Sequence, residues 1–287
     1  MRFSTSTVLA LVSACGVLAS PIEKRQAAAI DDTTILNYAL TLEHLENAFY
    51  KGALEQFDAA AFESCGFPPW ISEHEASHAA ILSGALGDAA VQPCTYKFPY
   101  TDPKSFTALS AILESVGVSA YLGAAASIMD KEYLTVAGTI LTTEARHQAW
   151  VSSAVNKNEG WSGPYDTPVG FNVVYSAAAA FITGCPATNP ALPFKAFPAL
   201  TYDAATGAVT GASDGQYIAL YQGLNVATYP IQGGKVMLPT TQGTAYLTAT
   251  SEKNATLVGD ANIVAGPAIV INHFKAEASN PAPSFAY

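Results

Sequence analysis

The pattern of apolar and polar positions separates a helical first part of the chain from a second part of different texture. From Asp31 to about residue 55, apolar side chains recur every three or four positions behind an Asp-Asp-Thr cap, which is typical of an amphipathic helix. Similar patterns predict helices from Trp70 to Leu86, from Asp102 to about Met129, and from Asp130 to about Lys157. The short turn between the last two helices requires them to be antiparallel. Residues 88–102, which connect the second helix to the third, are long enough to run the length of a bundle. The sequence therefore predicts a mainly α fold, a four-helix bundle with one long crossover.

After about residue 160, Gly, Pro, Thr, Asn and Tyr become frequent and the apolar runs shorten. We expect a short extra helix near 171–183, so that the bundle occupies residues 26–185, followed by a Pro-rich linker over 186–200. The stretch AFPALTYDAATGAVTGASDG predicts two strands, each followed by a turn. Residues 201–287 are thus predicted to form a small β-sandwich-like module, with further strands at 217–221, 235–238, 245–250 and 268–272.

The first 25 residues have the features of targeting and processing segments. Arg2 precedes an apolar run of about 12 residues, which is too short to span a bilayer, and small residues follow it. We interpret residues 1–19 as a signal peptide and residues 20–25, which end in the dibasic pair Lys24-Arg25, as a candidate propeptide. The chain is therefore expected to be secreted, extracellular or in a cell wall, with no membrane span and with Asn254 as an acceptor for N-glycosylation.

Secretion would allow the remaining cysteines to form a disulfide. Cys15 leaves with the signal peptide, so Cys65, Cys94 and Cys185 remain in an oxidising compartment and can form one internal bridge. The spacing does not choose among the three pairings. Because no Cys-x-x-Cys motif occurs, a cysteine zinc site or a thiol redox motif is disfavoured.

Charge and motif content exclude several classes of function. A formal net charge of -10 argues against a nucleic-acid or anionic-membrane partner, because both require clustered Lys and Arg. The chain contains neither a Gly-rich phosphate loop nor a Gly-x-Ser-x-Gly nucleophile motif, so nucleotide and acyl-transfer chemistry have little support.

The pattern Glu-x-x-His occurs twice, as Glu75 and His78 on the second predicted helix and as Glu144 and His147 on the fourth. Random spacing of five histidines and about thirteen glutamates would give roughly 0.2 such pairs in a chain of this length. Residues three apart are neighbours on a helix, so each pair can reach one metal ion. The alternative is an exposed polar face or a helix cap.

The first and third helices carry a second repeated pattern. Glu43 is followed seven residues later by Tyr50, and Glu114 is followed seven residues later by Tyr121. The chain therefore alternates Glu-x6-Tyr with Glu-x2-His, twice, as an internal pseudo-repeat. This alternation matches the dimetal site of four-helix bundles, in which two helices each give a Glu and two give Glu-x-x-His.

Charge explains why such a cluster requires metal. Four ionised carboxylates in a bundle core would each cost several kcal/mol unless they were neutralised. Between residues 26 and 156 only five basic residues stand against fifteen acidic ones, whereas two divalent ions bring four positive charges. The expected cofactor is a pair of divalent transition-metal ions, iron or manganese ahead of zinc, with open positions for O2, peroxide or water.

The stretches ALTLEHLENAFY, SEHEASH, AILESVGVSAYLGAA, LTTEARH and FITGCPATNPALP resemble the ferritin-like superfamily. The resemblance is closer to the secreted fungal ferritin-like proteins of the stress-response and late sexual development type. It implies that Tyr50 and Tyr121 hydrogen-bond to metal ligands, and that the ligands are Glu43, Glu75, His78, Glu114, Glu144 and His147.

The first-helix ligand has two candidates, because Glu46 lies one turn from Glu43. We favour Glu43, since its spacing to Tyr50 repeats that of the third helix. His44 and His74 are expected to lie at the surface or to hydrogen-bond a ligand, and His273 is expected to be structural.

Redox chemistry on O2, peroxide or a small-molecule substrate is the favoured function, as a di-iron or di-manganese oxidoreductase. Whether the chain is an enzyme stays open, because a metal-sequestering stress protein without turnover and an extracellular structural protein are the alternatives. A storage cage is disfavoured by the appended β module, whereas a small homo-oligomer is compatible with the sequence.

Overall fold

The computed structural model describes residues 30–58, 60, 62 and 70–275. The predicted signal peptide, the candidate propeptide and Cys65 lie outside the described residues. Within this part of the chain, the predicted bundle is present as four long helices and a short fifth helix, and a π-helical turn over Val151–Val155 extends the fourth. The helices are α1 Asp32–Gln56, α2 Trp70–Leu86, α3 Pro103–Ala125, α4 Lys131–Trp150 and α5 Phe171–Ala179.

Aspartate caps fix where three of the long helices begin. The Asp31 side chain accepts a hydrogen bond from the Thr34 amide at 2.8 Å, and Asp130 caps α4 in the same manner. Asp102 and Ser105 form a reciprocal capping box at the start of α3. Each cap satisfies amides that the first helical turn leaves without an intrahelical partner, so these helices begin where the sequence predicts.

The helix ends differ from the sequence prediction by a few residues. Helix α3 ends at Ala125 rather than near Met129, because the following amides bond to carbonyls only three residues back and tighten the chain into a turn. Helix α5 ends at Ala179 rather than at residue 183, because the chain there enters the short strand β2, Ile182–Gly184. Pairing with another segment therefore competes with the last turn of this helix.

The crossover between α2 and α3 is bound to the segment that follows α5. Its strand β1, Thr95–Tyr96, pairs antiparallel with β2. Beside this pair, Cys94 and Cys185 form a disulfide, which resolves the pairing that the sequence leaves open.

The C-terminal module consists of a four-stranded antiparallel sheet and a short hairpin. The predicted strand at 235–238 is wrong. Gly233 and Gly234 both have positive φ, and Lys235 closes a tight turn onto Gln232 instead of joining a ladder. The strands are β3 Thr201–Tyr202, β4 Val209–Thr210, β5 Tyr217–Gln222, β6 Asn225–Pro230, β7 Gly243–Thr250 and β8 Ile263–Asn272, and the sheet order is β6-β5-β7-β8.

The two faces of the sheet pack against different partners. On one face the Tyr246 hydroxyl contacts the Ser115 carbonyl at 3.0 Å and the Ser119 hydroxyl at 2.9 Å, which binds β7 to α3. On the other face, alternate residues such as Leu220 and Leu247 are buried under the β3–β4 hairpin and the 231–238 segment. The module is therefore one sheet between the bundle and a hairpin.

Helix α3 is the central helix of this arrangement, because it packs against α1, α4 and α5 and is bonded to β7 of the sheet. Among the described residues it alone has the length and mean hydropathy of a membrane-crossing helix. However, 67% of its most apolar 18-residue stretch is buried inside the fold, which is typical of the core helix of a bundle. Its apolar composition is accounted for by packing on several sides.

Candidate metal centre

Six acidic and histidine side chains from the four long helices converge at one level of the bundle. The four glutamates are at most 1% exposed, and the two histidines are 9% and 5% exposed. The predicted residues are thus brought together in the structure, and they form two groups whose potential ligand atoms lie within 4.8 Å of one another. The groups are Glu43, Glu75, His78 and Glu144, and Glu75, Glu114, Glu144 and His147.

The first group surrounds the imidazole of His78. Its Nδ1 lies 3.3 Å from Glu43 Oε2, 3.2 Å from Glu75 Oε2 and 3.1 Å from Glu144 Oε1. An imidazole nitrogen carries at most one proton, so it can donate to only one of these three oxygens. Three carboxylates aimed at one nitrogen are better explained by a common cation in their midst.

The second group surrounds the imidazole of His147. Its Nδ1 lies 3.1 Å from Glu75 Oε1 and 3.1 Å from Glu114 Oε2. Glu75 therefore directs one oxygen to each histidine, and it belongs to both groups together with Glu144. Two shared carboxylates between two histidine-containing groups form an arrangement that can bridge a pair of ions.

The donor atoms themselves fit divalent ions. Glu43 Oε2, Glu75 Oε1 and both oxygens of Glu144 are buried and accept no hydrogen bond of regular geometry from the described residues, although the first two and Glu144 Oε1 each lie within 3.3 Å of a histidine Nδ1. A buried carboxylate oxygen without a partner is strongly unfavourable, whereas a cation satisfies it. Carboxylate oxygens with imidazole nitrogens suit iron and manganese. The residues present are therefore compatible with a dimetal site.

Without metal, the cluster is balanced by protons. Burial, together with the charge of Glu75, raises the pKa of Glu43 to about 7, although His78 opposes the shift. Burial would lower the histidine pKa values, but hydrogen bonds to the carboxylates outweigh it and raise the pKa of His78 to about 12 and of His147 to about 9. Burial would raise the pKa of Glu75, but its contacts with both histidines outweigh this effect and lower the pKa to about 2. The metal-free site thus holds imidazolium cations where metal would supply charge.

The two tyrosines bond crosswise between α1 and α3. Tyr121 of α3 donates to Glu43 Oε1 of α1 at 2.5 Å. Tyr50 of α1 donates to Glu114 Oε1 of α3 and contacts Ser110 at 2.6 Å. Each tyrosine therefore donates a hydrogen bond to the glutamate of the other helix. The repeated Glu-x6-Tyr pattern thus corresponds to two hydrogen bonds that run in opposite directions between α1 and α3.

Glu46 is a fifth buried carboxylate beside the cluster, and it is 4% exposed. Burial, followed by repulsion from Glu144 and the other glutamates, raises its pKa well above the ordinary value. An ideal Cβ on Gly117 of α3 would lie 2.9 Å from Glu144 Oε2 and 3.3 Å from Glu46 Oε1. Only glycine leaves room for both carboxylates at this point. The geometry groups Glu43 with His78 and leaves Glu46 outside both groups, so the choice of Glu43 stays a prediction with geometric support.

His74 has a closer relation to the site than the sequence interpretation specifies. Its ring lies nearly parallel to that of His147, with an angle of 15° and centroids 5.1 Å apart, and its Nδ1 lies 2.8 Å from His147 Nε2. The available signal was the stretch HEASH, in which His74 precedes His78 by one helical turn. By contrast, His44 contacts the Val91 carbonyl at 3.1 Å, away from the cluster.

The remaining predicted residues lie in the C-terminal module. Asn254 is exposed and its side chain accepts hydrogen bonds from the Thr256 amide and hydroxyl, so its glycosylation stays a prediction. His273 follows β8 and is also exposed. Within the part of the chain that the structure describes, neither residue belongs to the acid and histidine cluster.

Comparison with known proteins gives a match to one family model over the bundle. Residues 31–157 match the family model of the ferritin-like domain. The ferritin-like domain thus spans α1 to α4 and contains all six residues of the cluster.

One curated protein is similar to this chain over a longer stretch. Protein rds1 of Schizosaccharomyces pombe is 26% identical over 182 residues, which cover 59% of this chain and 44% of that protein. The matched region is therefore less than half of the relative's length. The ferritin-like domain with its buried acid and histidine cluster is the part that the comparison and the geometry support together.

Proposed function

We propose that this protein binds two divalent metal ions, iron or manganese, and uses them in redox chemistry on O2 or peroxide. One observation carries the proposal: two buried groups of glutamate and histidine share Glu75 and Glu144 inside a ferritin-like domain. Bound iron or manganese would supply the electrons that such oxidants accept.

The side chains of this protein would hold and electrostatically tune the ions. His78 with Glu43 would hold one ion and His147 with Glu114 the other, while Glu75 and Glu144 would be shared. Tyr121 donates to Glu43 Oε1 and Tyr50 donates to Glu114 Oε1, in each case the oxygen that does not face a histidine. These hydrogen bonds orient the two carboxylates. The near-complete burial of the cluster excludes bulk water, so these charges interact more strongly than they would at a surface.

The setting of this activity is part of the proposal. A signal-like N-terminus and an N-glycosylation sequon at Asn254 support secretion to the exterior or the cell wall. The resemblance to fungal stress-response and sexual-development proteins, together with the similarity to Protein rds1, supports a role in stress or development.

The direct test is metal analysis of the purified protein, followed by activity assays. Metal-free protein is titrated with Fe²⁺ or Mn²⁺ under anaerobic conditions, and we expect about two ions per chain. The loaded protein is then assayed for peroxide disproportionation and for O2 consumption. Glu144→Ala removes a shared carboxylate and is expected to reduce both stoichiometry and turnover. Full loading of this variant, or wild-type protein that binds no metal, contradicts the proposal.

Sequestration without turnover is the second candidate. The observation that favours it is the burial of every glutamate in the cluster, which suits retention of an ion. Wild-type protein that takes up two ions but neither consumes O2 nor decomposes peroxide would establish this alternative.

A further inference from the structure

A polar cavity of about 180 Å³ lies where the sheet meets the bundle. Helices α3 and α4, the segment between the π-helical turn and α5, and the first residues of β7 form its walls. Since one water molecule occupies about 30 Å³ in the liquid, the cavity has room for about six waters or one organic molecule of similar volume.

The cavity lies on a different face of α3 and α4 from the acid and histidine cluster. Its lining residues Ser115, Ala145 and Gln148 each directly follow a cluster residue in the sequence. Consecutive residues on a helix project about 100° apart, so these three occupy another face of α3 and α4. The same two helices therefore present the acid and histidine cluster on one face and the polar cavity on another.

Fixed hydroxyl groups make up much of the cavity wall. Ser115, Ser119 and Thr167 are only 3%, 2% and 2% exposed. Thr244 of β7 donates to the Ser115 hydroxyl at 3.1 Å, and Thr167 donates to the Thr244 carbonyl at 2.8 Å. These bonds hold the hydroxyls in place before any ligand arrives, which lowers the ordering cost of binding.

The lining also defines the chemistry of a ligand. It contains hydroxyls, the Gln148 amide and the Asp166 carboxylate, but no lysine, arginine, histidine or cysteine. An anion would find no positive partner there, and a transition metal would find no nitrogen or sulfur ligand. Apolar surface is limited to a few small groups such as Val118 and Ala145, so a hydrophobic molecule is not favoured.

We propose that this cavity binds a small, uncharged polyhydroxylated molecule, of the size of a monosaccharide or a shorter polyol. The Ser115 and Thr167 hydroxyls donate to the Ala111 and Thr244 carbonyls, so towards the cavity they can act only as acceptors, as can the Asp166 carboxylate, and a ligand rich in hydroxyl donors matches them. The proposal is independent of metal occupancy, and its test uses metal-free and metal-loaded protein alike.

The experiment measures binding of glucose to the full chain by calorimetry and by ligand-observed NMR. Gluconate, glucosamine and cyclohexanol serve as probes of similar size with an anionic, a cationic and an apolar character. Ala145→Leu fills the cavity, and Arg146→Leu places the same side chain on an exposed neighbouring position of α4. We expect saturable glucose binding that Ala145→Leu weakens about tenfold or more and Arg146→Leu leaves unchanged.

Gln148→Met is a second variant, which removes the amide with little change in volume and is also expected to weaken glucose binding. It decides the matter if Ala145→Leu does not fold. Equal glucose affinity in wild type and Gln148→Met overturns the proposal, as does equal or tighter binding of any of the three other probes. Failure of all four probes to bind shows a cavity that holds water alone and also overturns it.

Discussion

His74 Nδ1 lies 2.8 Å from His147 Nε2, so an exposed histidine of α2 hydrogen-bonds the outer nitrogen of a buried cluster residue on α4. The inner nitrogen of His147 faces Glu75 and Glu114. If that inner nitrogen binds a metal, the ring proton must lie on Nε2, where His74 Nδ1 accepts it. His74 therefore selects the tautomer of His147 in which Nδ1 is free to bind a metal.

The first prediction concerns this contact. His74→Ala is expected to lower the affinity for Mn²⁺ or Fe²⁺ by about 10- to 100-fold, because partners that orient a metal ligand usually have effects of this size. Competition with a chelating dye measures the affinity. His44→Ala is the matched control, since His44 lies on α1 and contacts a backbone carbonyl outside the cluster. Equal losses in the two variants would contradict the role of His74.

The second prediction separates the two candidate glutamates of α1. Glu43→Gln is expected to reduce metal content below two ions per chain, whereas Glu46→Gln is expected to retain two. Because burial and neighbouring charges raise the pKa of Glu46, removal of its charge should also stabilise the metal-free protein by about 1 kcal/mol or more above pH 7. Elemental analysis and urea unfolding of the two isosteric variants give the answer, and the reverse order of metal loss would identify Glu46 as the ligand.

A third prediction tests the crosswise tyrosines. Tyr121→Phe removes a hydrogen bond to the Glu43 carboxylate and is expected to lower the free energy of unfolding by about 2 kcal/mol. Tyr38→Phe is the matched control on α1, because the Tyr38 hydroxyl is buried and has no hydrogen-bond partner in the part of the chain that the structure describes, so its removal should be neutral or stabilising. Urea denaturation measures both changes. Similar destabilisation by the two substitutions would mean that ring packing, rather than the bond to Glu43, carries the effect.

The fourth prediction is a pH dependence of the metal-free protein. The folded-state pKa of Glu43 is raised from 4.5 to about 7 and that of His147 from 6.5 to about 9. A raised pKa stabilises the fold below the unfolded value and loses this contribution as pH rises through the folded value. Stability is therefore expected to fall between about pH 5 and pH 9, by an amount on the order of a few kcal/mol.

Glu75 acts in the opposite direction, since its pKa is lowered to about 2, so its contribution disappears only in strong acid. Bound metal replaces the protons, and the loaded protein should instead gain stability as pH rises across the same range. Urea midpoints at several pH values, with and without Mn²⁺, measure both trends. A metal-free protein that becomes more stable from pH 5 to pH 9 would contradict this account of the cluster.

The bundle was predictable because its signals are local. Aspartate caps, helical apolar spacing and the short turn after α3 each depend on residues close in the sequence. The two Glu-x-x-His pairs were visible for the same reason, since both members of each pair lie on one helix.

Contacts between helices could not be obtained from the sequence in this way. The sequence predicted that Tyr50 hydrogen-bonds to a metal ligand without specifying which one, and the structure shows its hydroxyl bonded to Glu114 on α3. In the C-terminal module, Lys235 lies in a turn because two glycines with positive φ precede it, although the apolar residues after it suggested a strand. Pairing partners of this kind depend on the packed structure rather than on local preference.

The bridge between Cys94 and Cys185 has a consequence for where the protein can be assembled. It closes a covalent loop across a sequence separation of 91, and this loop contains α3 and α4, which carry Glu114, Glu144 and His147. By chain-entropy arguments, a crosslink of this length restricts the unfolded chain by about 4 to 5 kcal/mol. Protein synthesised in a reducing cytoplasm would lack this disulfide and its stabilising effect. A recombinant preparation therefore requires an oxidative folding step before its metal affinity is measured.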